Sequence, residues 1–186
     1  MSLVTLSGLL NDIIARVFDI IKAPLNKPDM LWIVSPVLIS TFLMTYYFGK
    51  YKKEELGWNT AFGNSIVLLF SCLDLFRFLY NHHLLKLNVE TVLVTAVLLE
   101  GIILTLLNFL HALPKSFAFS VSSGMTINII VVSLIILIYS RLPLDYVTAL
   151  AVIIISAVII LVLKFIQLLE WGDDEEVEEE NAPKPV

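Results

Sequence analysis

The sequence predicts an all-α, polytopic integral membrane bundle of about five transmembrane helices, preceded by an amphipathic interfacial helix. Three observations carry that prediction. Hydrophobic residues make up 58% of the 186 residues, where a soluble domain carries about 45–50%. Charged residues make up only 16%, and the mean hydropathy is +0.88. The apolar residues are gathered into runs near the roughly 20 residues that a helix needs to cross a hydrocarbon core. A soluble fold of this length has no core large enough to take in that much apolar surface.

Residues 1–28 form a lead segment. Leu6, Leu9, Leu10, Ile13, Ile14, Val17, Ile20 and Ile21 recur at helical spacing, while Asn11, Asp12, Arg16 and Asp19 interrupt them elsewhere. The pattern predicts an amphipathic helix lying in the membrane interface; the alternative is a helix packed on the bundle's own surface. Pro24 and Pro28 are expected to end it. The polar interruptions, with no small-residue cleavage site after a clean apolar stretch, do not read as a cleavable signal peptide.

Residues 29–170 are expected to form the bundle, with spans over 30–48, 59–80, 89–113, 117–139 and 144–168. Trp32, Tyr46 and Tyr47 flank the first span and suit the interface. The connections are short, which predicts that consecutive spans are antiparallel neighbours. The fourth span opens with Ser120, Ser123 and Gly124. Small residues at that spacing let helices approach closely; the rival reading is a locally unwound segment whose backbone lines a cavity. Residues 171–186, WGDDEEVEEENAPKPV, hold too little apolar mass to fold and predict an acidic, solvated, disordered tail.

The net charge of −5 resides largely in that tail, so the body is near neutral. This excludes nucleic acid as a partner, because phosphate binding needs a basic surface. The lone cysteine, Cys72, makes neither an intramolecular disulfide nor a cysteine zinc site. His82, His83 and Glu90 lack the spacing of a helical metal motif, and no nucleophile elbow, phosphate loop or dinucleotide loop occurs. No metal or cofactor is expected, and no residue is assigned as catalytic. No internal repeat supports an inverted-repeat transporter.

Basic residues divide evenly between the two ends of the bundle: Arg16, Lys22, Lys27, Lys86 and Arg141 against Lys50, Lys52, Lys53, Lys115 and Lys164. The densest group, Lys50, Lys52 and Lys53, places its own end and the tail in the cytoplasm of a cell-membrane protein.

Polar groups inside the spans mark the candidate sites, since an ionisable residue at the centre of a span costs about 2.5–3.5 kcal/mol and persists only where something offsets it. Glu100 lies near the middle of the third span. The positions three and four residues away are Ala96, Val97, Ile103 and Leu104, so no cation answers it along its own helix. Asn128 and Ser156 count to the same depth on the fourth and fifth spans. The three are expected to form one intramembrane polar layer, either a quiet hydrogen-bonded one or a proton or cation site. Asp74 and Arg77 share a helix face, and with Glu90 they form a candidate interhelical ion pair or the wall of a vestibule. Asn59 and Asn64 at the start of the second span, with Asn108 and His111 at the end of the third, form a candidate polar cluster.

In outline, an apolar lead segment followed by five spans with a tight last hairpin is similar to the Yip-type membrane domain; no motif carries that likeness, and it assigns no residue a role. The function expected from the residues is a non-enzymatic membrane scaffold or binding protein. The alternative is a small oligomeric channel or transporter built around Glu100, Asn128 and Ser156. The partners expected are the lipid bilayer and a further copy or another membrane protein.

Overall fold

The computed structural model describes residues 3–51 and 56–169, with side chains from residue 7 onward. Lys52, Lys53 and the acidic tail lie outside the described residues. The described chain is helical throughout: α1 (Leu3–Asn26), a single 3-10 turn (Pro28–Met30), α2 (Leu31–Lys50), α3 (Trp58–Asn81), α4 (Val89–Phe109), α5 (Lys115–Val121), α6 (Gly124–Ser140) and α7 (Tyr146–Leu169). Among the described residues, five segments are long and apolar enough to cross a membrane: Pro28–Lys50, Trp58–Asn81, Val89–Phe109, Lys115–Ser140 and Tyr146–Leu169.

Packing departs from chain order. The sequence predicts consecutive spans side by side, yet α2 packs chiefly on α6 and α7, and α6 packs on α3 and α2. The central element is α6, which buries Ile127, Val131, Leu134, Ile135 and Ile138. These are bulky aliphatic side chains facing several directions, so the helix is apolar all round, as a fully enclosed helix must be. The expected hairpin is strongest between α3 and α4, and the consecutive α6 and α7 touch only slightly. Helices α3 and α4 meet at Gly101, where an added Cβ would stand 2.9 Å from Leu69 Cδ2. Beyond that seam α4 lies at the edge of the bundle.

Two further expectations need correction. Pro24 does not end the first helix, which runs on to Asn26. Proline in a final turn forfeits one bond to the preceding turn, and Lys27 still closes the helix by donating its N–H to Ala23 O at 2.9 Å. The predicted 117–139 span is not one helix: it breaks at Ser122 and Ser123, with Ser123 extended at φ −64° and ψ 147°.

Three helices end on a non-glycine residue in the left-handed region: His83, His111 and Arg141, at φ 56°, 52° and 55°. After α3, Leu84 N–H reaches back to Leu79 O at 2.8 Å; after α4, Ala112 N–H reaches Leu107 O at 2.9 Å. Both are Schellman ends, which satisfy the last carbonyls of a helix at the cost of a left-handed residue.

Helix α1 rests on α7 and α6. Ile20 and Ala23 are buried against them, while Leu10, Ile14, Phe18, Ile21 and Leu25 form an exposed apolar stripe. Arg16 fixes the contact. Its guanidinium donates to Thr148 Oγ1 at 2.8 Å and to Pro143 O at 3.3 Å, and lies 3.8 Å from the Asp145 carboxylate.

Candidate functional site

The largest buried polar group is Asn108, 1% exposed near the end of α4. Its Nδ2 donates to Ser65 Oγ at 2.7 Å, to Ser122 Oγ at 2.8 Å and towards Ala61 O at 3.3 Å. The nearby Ala61 carbonyl fixes the amide orientation, since the opposite one would set oxygen against oxygen. Asn108 Oδ1 has no hydrogen-bond partner among the described residues. Asn64 Nδ2 donates to Ser122 O at 2.8 Å. The predicted cluster of Asn59, Asn64, Asn108 and His111 is therefore half assembled. Asn64 and Asn108 converge on Ser122, Asn59 is exposed, and the His111 ring packs on Trp58 at 4.4 Å between centroids.

These bonds stabilise the break between α5 and α6. Ser122 N–H still donates to Ala118 O, and Ser122 O is taken by Asn64. Ser123 Oγ accepts from Thr126 N–H at 3.1 Å and caps α6, while Thr126 Oγ1 donates to Ser120 O at 3.0 Å. Unwound backbone inside an apolar region survives only where other groups take up its polar atoms. Beside the break lies a cleft of about 330 Å³, walled by α2, α6 and α7 and lined by Thr45, Phe48, Gly124, Met125 and Gln167 among others.

At the opposite end of the bundle, Asp74 accepts from Arg77 Nε at 2.9 Å within α3. Its second oxygen accepts from Tyr139 Oη at 2.9 Å, which joins α3 to α6. The ion pair is thus within one helix, and its interhelical link is to Tyr139; Glu90 makes no hydrogen bond or ion pair among the described residues. Phe78 stacks on Tyr139 at 4.0 Å and meets the tilted His82 ring at 4.4 Å. Arg77, Phe78, His82 and Tyr139 line a cleft of about 370 Å³ together with Asp29 and Trp32.

Glu100, Asn128 and Ser156 are not joined. Asn128 Nδ2 donates to Thr41 Oγ1 at 2.9 Å, linking α6 to α2. Ser156 is half-buried on α7 and makes no hydrogen bond among the described residues. Glu100 is exposed on α4, beside the α3–α4 seam, and has no hydrogen-bond or ion-pair partner among the described residues. Depth counting along the spans aligned the three residues; α4 packs chiefly on α3 rather than on α6 or α7, so Glu100 stands apart, and Asn128 turns to α2.

Thr41, Ser65, Ser122 and Tyr139 are the partners that sequence reasoning missed. Thr41 and Thr45 stand four apart on the first span and so share a face, which is the one signal that was there to find. Among the described residues no group of three His, Cys, Asp or Glu is gathered as a metal ion would need. No protein-family model, no curated protein and no solved structure matches the chain.

Proposed function

We propose that this multi-pass membrane protein is a non-enzymatic scaffold or binding protein that engages its partner inside the bilayer. The supporting observation is the position of Glu100. It stands near the middle of a peripheral helix, is exposed, and has no hydrogen-bond or ion-pair partner among the described residues. A carboxylate directed at lipid is costly, and covering it with a partner helix that supplies a cation or a hydrogen-bond donor removes that cost. Helix α1, with its exposed apolar stripe, suits the membrane interface beside the bundle.

The test uses Cys72→Ser as background and Glu100→Cys as the reporter. Failure of a charged, membrane-impermeant thiol reagent to label position 100 in intact membranes, together with cross-linking to a neighbouring membrane protein, is the expected result. Labelling that a cation blocks would sink this reading and favour the second one, a small oligomeric channel or transporter. That reading draws on the α5–α6 break, because interrupted helices recur where transporters bind substrate.

A further inference from the structure

We propose that the cleft beside the α5–α6 break binds a phosphate group, carried by an anionic lipid headgroup or by a free phosphate ion. The proposal rests on the cleft alone and is independent of Glu100. The first element is α6, a helix of 17 residues whose N-terminus opens onto the cleft through Ser123, Gly124 and Met125. The N–H groups of Gly124 and Met125 belong to its first turn and have no acceptor within the helix. The aligned peptide dipoles place about half a positive charge there, which suits an anion.

A second, independent observation is Thr45. It is 5% exposed and lines the same cleft. In this chain the hydroxyls of Thr41, Ser65, Ser71, Thr95 and Thr105 each donate to the carbonyl four residues back. Thr45 does not, and its hydroxyl has no partner among the described residues. A hydroxyl on a buried, cleft-lining residue that spends no donor on its own helix is free to donate to an acceptor in the cleft.

The third element is charge. Gln167 lines the cleft and also an adjoining one shared with Phe48, Leu168 and Lys164. Lys164 lies three residues before Gln167 on α7 and has no acidic partner among the described residues. Among the described residues no carboxylate lines either cleft. A phosphate seated on the α6 N-terminus would accept from Thr45 and Gln167 and lie within the field of Lys164. Met44, Phe48, Met125 and Leu168 supply the apolar wall along which an acyl chain would run.

The experiment measures the thermal stability of the purified full-length chain in nanodiscs of phosphatidylcholine alone, in nanodiscs containing phosphatidylglycerol, and in phosphatidylcholine with added inorganic phosphate. Thr45→Val and Lys164→Met are the test variants, and Lys86→Met, at the other end of the bundle, is the control. A rise in Tm with phosphatidylglycerol alone, on the order of a few degrees and lost in both test variants but kept in Lys86→Met, assigns the site to a lipid headgroup. A rise with inorganic phosphate as well, lost in the same variants, assigns it to the phosphate group itself. No rise with either, or equal rises in wild type and both test variants, overturns the proposal. Thr45→Val conserves shape and Lys164 is exposed, so folding of both variants without ligand is expected to match wild type.

Discussion

Tyr139 Oη donates to Asp74 Oδ2 at 2.9 Å, so the carboxylate that holds Arg77 on α3 also holds α6 against it. Tyr139→Phe removes that link while leaving Arg77 paired. An interhelical hydrogen bond in a membrane protein contributes about 0.6–1 kcal/mol, and a loss of that size is expected in unfolding by a denaturing detergent. Asp74→Asn should cost more, because it weakens both contacts. Equal losses in the two variants would show that Tyr139 carries the whole effect.

Asn108 supports three segments at once: α3 through Ser65 and Ala61, its own helix α4, and the α5–α6 break through Ser122. Asn108→Ala leaves buried polar atoms with fewer partners, a loss expected to cost about 1–3 kcal/mol. Faster amide exchange around Ser122 than around Asp74 would place the damage at the break. Uniform exchange across the bundle would count against that local role.

At Gly101 the Cβ of an alanine would press on the end of the Leu69 side chain, which can swing aside. Gly101→Ala is therefore expected to cost little and Gly101→Leu to force α3 and α4 apart. Disulfide trapping between cysteines placed across the seam, in a Cys72→Ser background, reads the difference. Trapping that persists in Gly101→Leu would contradict the close approach.

Arg141 ends α6 at φ 55° and ψ 38°, where only glycine is free of steric cost. Arg141→Gly should raise stability by up to ~1 kcal/mol once the added freedom of the unfolded chain is offset, and Arg141→Val should lower it. A lower Tm for Arg141→Gly would mean that the arginine side chain contributes more than its backbone costs.

Asp145 opens α7 by accepting from Thr148 N–H at 2.8 Å. That backbone bond foremost, with the Thr148 hydroxyl and the Arg16 charge, holds its carboxyl below the usual aspartate range, against a smaller opposing effect of burial. The folded-state value is the lower one. The stabilisation is therefore complete above the ordinary aspartate pKa of about 3.9 and disappears as pH falls through the depressed value. A spin label introduced by Asp19→Cys on α1, in a Cys72→Ser background, should stay immobile at neutral pH and gain mobility only in strong acid. In Asp145→Asn that dependence should vanish.

The spans were legible in the sequence because bilayer thickness sets run length, and Trp58–Asn81 and Tyr146–Leu169 fall close to the predicted 59–80 and 144–168. Helix rotation was not legible. A span that meets lipid on one side and protein on the other is apolar on both, so no period says which face turns inward. Glu100 and Asn128 show the result: depth was readable for both, and direction for neither. The neighbour relations failed for a related reason, since apolar faces carry no label for their partner and α2 could settle on α6 and α7. Small and hydroxyl-bearing residues were the middle case. Ser120, Ser123 and Gly124 marked a place where a helix gives way, but Ser122 and Thr41 gained their meaning only from Asn64, Asn108 and Asn128.

The hydrogen bonds from Arg16 to Pro143 and Thr148 span 127 and 132 positions of the chain. A ribosome releases Arg16 long before it has made Asp145 or Thr148, so the first helix lacks its main docking surface, α7, during most of synthesis. The α3–α4 hairpin, whose contacts are local, is free to assemble early. Seating α1 on α7 must then follow the other contacts, and a chain truncated before Tyr146 keeps the α6 surface and Pro143 but lacks Thr148 and the larger face on which α1 rests.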